Sequence, residues 1–301
     1  MRDDNHAELR QRFLDRMTDF IVYSSIRLPD DVASKLNQLR AEETGSLASI
    51  IYETMEVNQK LAQTLQRPCC QDTGVLQFWL RCGSEFPLLA DMEELLQKAV
   101  ALATTAAPLR HNCVETFDEV NTKCNYGSGV PTIFWEIVPN ADTCEIFVYM
   151  AGGGCSLPGK AMVLMPSAGY EGVAKFVLDQ MTEYGVNACP PLLVGVGIAT
   201  SVETAALLSK KALMRPIGFQ NPNARAAAME KLLEKGINAI GLGPQGIGGN
   251  ASVLGVHIEN TARHPSTIGV AVNVGCWSHR RGQICFDCDI VAKSATHVGW
   301  M

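Results

Sequence analysis

Apolar positions near the amino terminus recur at helical spacing. Leu9, Phe13, Met17 and Ile21 lie four apart, which predicts an amphipathic helix. Pro29 predicts a second helix opening just after Leu28. Leu47, Ile50, Ile51, Met55, Leu61, Ala62 and Leu65 predict a third, with its apolar residues in one stripe. From Arg67 to Gly74 the pattern breaks into a loop, and Val75 to Leu80 then reads as a strand. A helix over 91–106 would bury Met92, Leu95, Leu96, Ala99 and Ala103. Two apolar runs, 132–138 and 144–150, are separated by Pro139-Asn-Ala-Asp142 and predict a hairpin. Further on, helical spacing covers 171–184, and Leu192 to Ile198 reads as a short buried strand. Thr200-Ser-Val-Glu203 has the form of a capping box opening a helix over 202–214. The spacing predicts another helix over 224–235, closed by Gly236. Strand-type runs follow at 253–258, 268–274 and 284–290. The order of elements predicts an α/β chain, mixed α+β in detail. A helical lead-in over 1–66 would pack on an α/β domain over 67–301, the two forming one continuous domain.

Composition narrows the function classes. With 47% hydrophobic and 19% charged residues the chain has an ordinary soluble, globular make-up. A formal charge of −6 disfavours a protein that tracks nucleic-acid phosphates. The first residues lack the apolar core of a secretory signal, and no apolar run approaches a membrane span. Those features predict a cytoplasmic protein with reduced thiols. It has 11 cysteines, an odd number that argues against a complete disulfide framework. Buried apolar thiols, a metal or cluster site, and a nucleophile remain open.

Several motifs fall short on inspection. Gly241-Leu-Gly-Pro-Gln-Gly246 fits a dinucleotide fingerprint only as a string, because Pro244, Gly248 and Gly249 favour a loop over a helix start. Cys285 and Cys288 form a lone C-x-x-C, where a zinc ribbon needs a second pair. No nucleophile elbow, zincin helix or P-loop occurs. Three cysteines stand out by context. Cys70 precedes Gln71-Asp72-Thr73-Gly74, Cys189 precedes Pro190-Pro191, and Cys276 sits between Gly275 and Trp277. They are too far apart in sequence for the local clustering of electron-transfer ferredoxins. Basic residues flank the same segments: Arg67, Arg110-His111, Arg263-His264 and Arg280-Arg281. In an acidic chain that placement suits an anionic small molecule, with arginine offering a two-donor fork to a carboxylate.

Taken together, Arg67-Pro-Cys-Cys-Gln-Asp-Thr-Gly74, Pro108-Leu-Arg-His-Asn112, Gly127-Ser-Gly-Val-Pro131, Gly152-Gly-Gly154, Asn187-Ala-Cys-Pro-Pro191, Gly241 to Gly246, Arg263-His-Pro-Ser266 and Gly275-Cys-Trp-Ser-His-Arg-Arg281 resemble the N-terminal half of the class I iron–sulfur fumarase and tartrate dehydratase family. The wording from Val148 to Gly159, and from Val163 to Gly172, is similar to its tartrate dehydratase branch. The resemblance implies a class I fumarase N-terminal-type fold with a helical N-terminal layer. It implies a [4Fe–4S] cluster held by Cys70, Cys189 and Cys276, with one iron open. It further implies substrate contacts by Gln71, Arg110, Gly153 and His264, with Asp72 as acid or base. The implied reaction dehydrates L-tartrate to oxaloacetate, fumarate or malate chemistry being the alternative. Hydroxide leaves poorly, its conjugate acid having a pKa of roughly 15.7, so a Lewis acid is needed. An iron–sulfur redox or regulatory protein is the more distant alternative. Single-chain members continue into a further substrate-binding domain, so the resemblance also implies a separate β subunit, in an α2β2 assembly.

Overall fold

The structure, a computed structural model, describes residues 2–300, with side chains from Asn5 to Trp300. Its elements in chain order are α1 (Arg2–Ile26), α2 (Asp30–Glu42), α3 (Ser46–Leu65), β1 (Val75–Gly83), α4 (Met92–Ala106), β2 (Val114–Glu115), β3 (Val120–Asn121), β4 (Thr132–Val138), β5 (Cys144–Ala151), α5 (Gly153–Ser156), β6 (Lys160–Leu164), α6 (Gly169–Tyr184), β7 (Leu192–Ala199), α7 (Val202–Ala212), α8 (Ala224–Ile240), β8 (Val253–Asn260), β9 (Ile268–Gly275), β10 (Arg281–Phe286) and β11 (Ala292–Ser294). This is the mixed α/β architecture expected, with helices leading. Contacts divide the chain into two units. One holds residues 1–30, 58–152 and 280–301, the other 31–57 and 153–279. The three leading helices are therefore shared between the units.

The first unit is built on a five-stranded sheet in the order β11-β10-β5-β1-β4. Phe13, Met17, Phe20 and Ile21 of α1 and Leu95, Leu96, Ala99 and Val100 of α4 form one core with Leu76, Phe78 and Leu80 of β1. The expected hairpin is not there. β1 lies between its two strands, parallel to β4 and antiparallel to β5. The physical reason is burial: Leu76, Phe78, Trp79, Leu80 and Cys82 of β1 are all buried, so this strand takes a central place. The connection expected to be a hairpin turn instead spans the end of β1, where Gly83 N–H donates to the Thr143 carbonyl at 2.8 Å and Glu85 N–H to that of Ala141 at 2.9 Å.

The second unit carries a four-stranded sheet in the order β6-β9-β7-β8. β7 is parallel to β8 and antiparallel to β9, and all eight of its residues are buried. Its glycines let α7 lie against its backbone, since a Cβ on Gly197 would stand 1.9 Å from the Ala205 carbonyl oxygen. Two helix-end readings are corrected. The α7 N-cap is Ser201 rather than Thr200, and its hydroxyl bonds Glu203 Oε1 at 2.5 Å without a reciprocal cap on a backbone N–H. Gly236 does not end α8, because Ile237 continues the buried stripe and the missing side chain makes room for Leu178. The helix closes instead at Gly241 in a left-handed conformation. Gly241 to Gly246 thus ends a helix, where a dinucleotide fingerprint would open one. The runs at 253–258 and 268–274 are strands as expected, whereas 284–290 is displaced to β10 and β11 around a turn.

Candidate active-site loops

In the first unit, two loops that follow α3 and α4 are tied together. Thr73 is buried, and its hydroxyl accepts from the Arg110 N–H at 3.0 Å and from Asn112 Nδ2 at 3.3 Å. Asn112 Nδ2 also donates to the Gly74 carbonyl at 3.2 Å. Buried Asn125 braces the second loop from below, its Oδ1 accepting from Asn112 N–H and its Nδ2 donating to the Arg110 carbonyl at 2.8 Å. The result fixes the backbone of Arg110 while its side chain is exposed. Gln71, Asp72 and Arg110 are thereby brought onto adjoining loops of one unit.

The two neighbouring cysteines differ in surroundings. Cys69 is buried, its N–H donates to Ser25 O at 3.0 Å, and its carbonyl accepts from Asn58 Nδ2 at 2.6 Å. Cys70, one residue on, is half-buried. The pinned backbone of Cys69 orders the segment that carries Cys70 and Gln71 outward. Asp72 folds back on its own loop, Oδ1 accepting the Gly74 N–H at 3.1 Å in an Asx turn. Its carboxylate rests against Gly152, where a Cβ would come within 2.8 Å of Oδ2. Arg280 Nη2 donates to the Asp72 carbonyl. Arg280 and Arg281 are both fully buried, so neither belongs to the set of exposed anion contacts expected from sequence. Arg280 thus holds the backbone of Asp72. Its adjacency to the Gly275 to His279 run was the visible signal, but its direction was not.

In the second unit, antiparallel pairing of β7 with β9 sets Leu193 opposite Gly275. Cys189 just before β7 and Cys276 just after β9 therefore emerge at one end of the sheet. A backbone bond fastens them: the Trp277 N–H donates to the Cys189 carbonyl at 3.1 Å. Cys189 is exposed and takes a left-handed backbone conformation, φ 55° and ψ 74°, while Cys276 is half-buried. His279 next to this loop is buried and its Nε2 contacts the Leu213 carbonyl at 2.9 Å, which makes it a core histidine.

Gly153 opens α5 and is exposed. Behind it, burial pushes the Lys210 ammonium down to about 8, opposed by the neighbouring Cys155. His264 sits on the exposed loop after β8. Its N–H donates to Thr200 Oγ1 at 3.0 Å, and its Nδ1 accepts the Ser266 N–H at 3.1 Å, which leaves Nε2 to carry a proton. Arg263 is turned inward on the same loop, donating to the carbonyls of His264 and Thr267 at 3.1 Å.

The other thiols divide by environment. Cys82 and Cys144 are buried and directly opposite in the β1–β5 register, and Cys113 and Cys155 are buried as well. Cys285 and Cys288 are exposed at the end of β10. None of the 11 is in a disulfide. Among the described residues no group of three or more His, Cys, Asp or Glu side chains is set around a single ion position. No described helix is long and apolar enough to cross a membrane.

Known proteins share this chain over nearly its whole length. It is 55% identical to the L(+)-tartrate dehydratase subunit alpha of Escherichia coli strain K12 and 56% identical to that of Escherichia coli O157:H7. Each match spans 297 residues, 99% of this chain and 98% of the relative. A protein of Methanocaldococcus jannaschii is 34% identical over 261 residues, 86% of this chain and 92% of its own. A family model described as "Fumarate hydratase (Fumerase)" matches residues 14–285, and the chain belongs to that family.

Proposed function

We propose that this chain is the α subunit of a hydro-lyase that dehydrates L-tartrate to oxaloacetate. The near full-length identity to tartrate dehydratase α subunits carries the reading. The family's cluster chemistry has a fitting donor set here. Cys70, Cys189 and Cys276 are soft thiol donors in loops, Cys189 exposed and the other two half-buried, and none is in a disulfide. When bound, a [4Fe–4S] cluster with three cysteine ligands supplies one iron as a Lewis acid for the departing hydroxyl.

The chain's own residues would do the rest. Arg110, held at its backbone by Thr73 and Asn125, presents a fork to one substrate carboxylate. Gln71 and the Gly153 N–H supply neutral donors to carboxylate or hydroxyl oxygens. His264 offers its Nε2–H to the same anion. Asp72, its carboxylate oriented by Gly74 N–H and seated on Gly152, takes or orients the carbon-bound proton. The product enol then tautomerises to oxaloacetate. A separate β subunit would complete the substrate site, in an α2β2 assembly, and the protein would work in the cytoplasm, where its thiols stay reduced.

The test is anaerobic preparation of the chain with and without its partner, assayed side by side on L-tartrate, malate and mesaconate. We expect turnover of L-tartrate only with the partner. Cys70→Ala should lose both visible cluster absorbance and activity, and Cys69→Ala should keep both. Full turnover by the chain alone, or a coloured and active Cys70→Ala protein, would refute the reading. Preference for malate would move the substrate to the fumarase alternative.

A further inference from the structure

In the second unit a cavity of about 920 Å³ lies between α6 and α8, at the carboxyl ends of the parallel strands β7 and β8. That is where open α/β sheets hold their ligands. The floor is apolar. Ile198 and Ile258 are buried at its base, while Ala174, Leu178 and Met229 pack on the core and stay partly exposed. The upper end is polar. Glu230 of α8 accepts the Ile258 N–H at 2.7 Å, and Arg225 stands five residues earlier, about 7.5 Å along the helix. The first turn of α8 therefore reaches past β8 to the loop that follows it, where Thr261 and Arg263 also line the cavity. Arg225 is exposed, and its guanidinium has no hydrogen-bond or ion-pair partner among the described residues. Arg263 donates to the carbonyls of His264, Pro265 and Thr267 from Nη1 alone, which leaves Nη2 and Nε for a ligand. Against these two cations the rim sets one carboxylate, Glu171, since Asp179 is paired with Lys175.

We propose that this cavity binds a small amphipathic carboxylate, its aliphatic tail on the floor and its charge between Arg225 and Arg263. The volume falls in the range of small-ligand sites, and an apolar lining with a few polar groups gathered at one end is how such sites fix orientation. The charge is complementary: two guanidiniums with free donors are held at that end, in a chain whose net charge is −6. None of the lining residues is among those assigned above to cluster or substrate. Arg263 links the cavity to the loop that carries His264, because the same guanidinium that meets the ligand fastens three carbonyls of that loop. A bound carboxylate on Nη2 therefore stiffens residues 261–267. This inference stands on the cavity alone and is independent of the reaction proposed above.

Calorimetric titration of the full chain with sodium octanoate, alone and joined to its partner subunit, tests it. We expect one octanoate per chain in both forms. Hexanoate should bind about tenfold more weakly, having two fewer methylenes to bury. Methyl octanoate keeps the tail without the charge and should also lose about tenfold. Arg225→Ala should weaken octanoate about tenfold and leave methyl octanoate unchanged, whereas Glu171→Gln should tighten octanoate. Ala228 is exposed on the cavity wall, and Ala228→Trp should exclude both probes by filling the space. These positions are solvated, so the fold should hold, as an unchanged circular dichroism spectrum would show. Octanoate should slow hydrogen exchange of the 261–267 amides in the wild-type chain. The inference is overturned by a chain that binds no octanoate, by equal affinity for octanoate and its methyl ester, or by Arg225→Ala and Ala228→Trp chains that bind like wild type. Displacement of octanoate by the partner subunit would give the cavity to that subunit instead, and exchange of the 261–267 amides unmoved by octanoate would place the probe elsewhere.

Discussion

Gly152 illustrates how one absent side chain orders a candidate catalytic group. The Asp72 carboxylate occupies the place that a Cβ would need, and the Asx turn to Gly74 prevents it from swinging away without losing a hydrogen bond. Gly152→Ala should therefore displace the carboxylate and lower kcat on L-tartrate by about 10²-fold, the cost of a misplaced reacting group, with KM little changed. Unaltered kcat in the partnered enzyme would remove Asp72 from proton transfer. Residues at this scale were unevenly legible. Asp72 and Gln71 could be picked from their motif. In the sequence Cys70 is set apart from Cys69 by resemblance alone, and the Ser25 and Asn58 bonds that pin the Cys69 backbone are not visible in the local motif. Arg280 was visible as a charge, but whether a buried guanidinium faces a ligand or a backbone carbonyl depends on long-range packing that no local spacing encodes.

Between elements, the carboxyl-terminal segment is clamped to α1 through His297. The imidazole is buried against the edges of Phe20 and Tyr23, with Nε2 3.2 Å from the Arg27 carbonyl. Burial pushes its pKa down to about 4, against a smaller upward pull from that carbonyl and from Asp30. The folded state thus binds the proton less readily than the unfolded chain. Stability is unaffected by this group above about pH 6.5, falls as pH drops toward 4, and levels below that, for a loss of about 3 kcal/mol. Urea unfolding at pH 7, 5.5 and 4 should show this decline, and His297→Phe should flatten that part of it. Elements themselves were well read where local periodicity governs: α4, α6, β7 and β9 stand within a few residues of expectation. They were misread where a distant element decides. The partners of β4 and β5 were set by the insertion of β1, and Gly236 served helix contact, not termination.

For the whole molecule, length and composition pointed to a mixed α/β chain, but the interleaving of the two units left no compositional trace. One unit draws on three separated stretches of sequence, the other on two. The placement of β10 has a kinetic corollary. Its Phe286 pairs with Cys144, the widest sequence separation among strand partners of either large sheet, so closing that loop carries the greatest chain-entropy cost. Sheet formation in the second unit, whose strands all fall within residues 160–275, needs shorter loops and should come first. In pulse-labelled hydrogen exchange during refolding of the full chain, amides of β7 and β9 should gain protection before those of β5 and β10. Until β10 docks, the inner edge of β5 exposes unpaired backbone beside Ile146 and Val148, which makes the late phase of folding the moment at which this chain is most prone to aggregate.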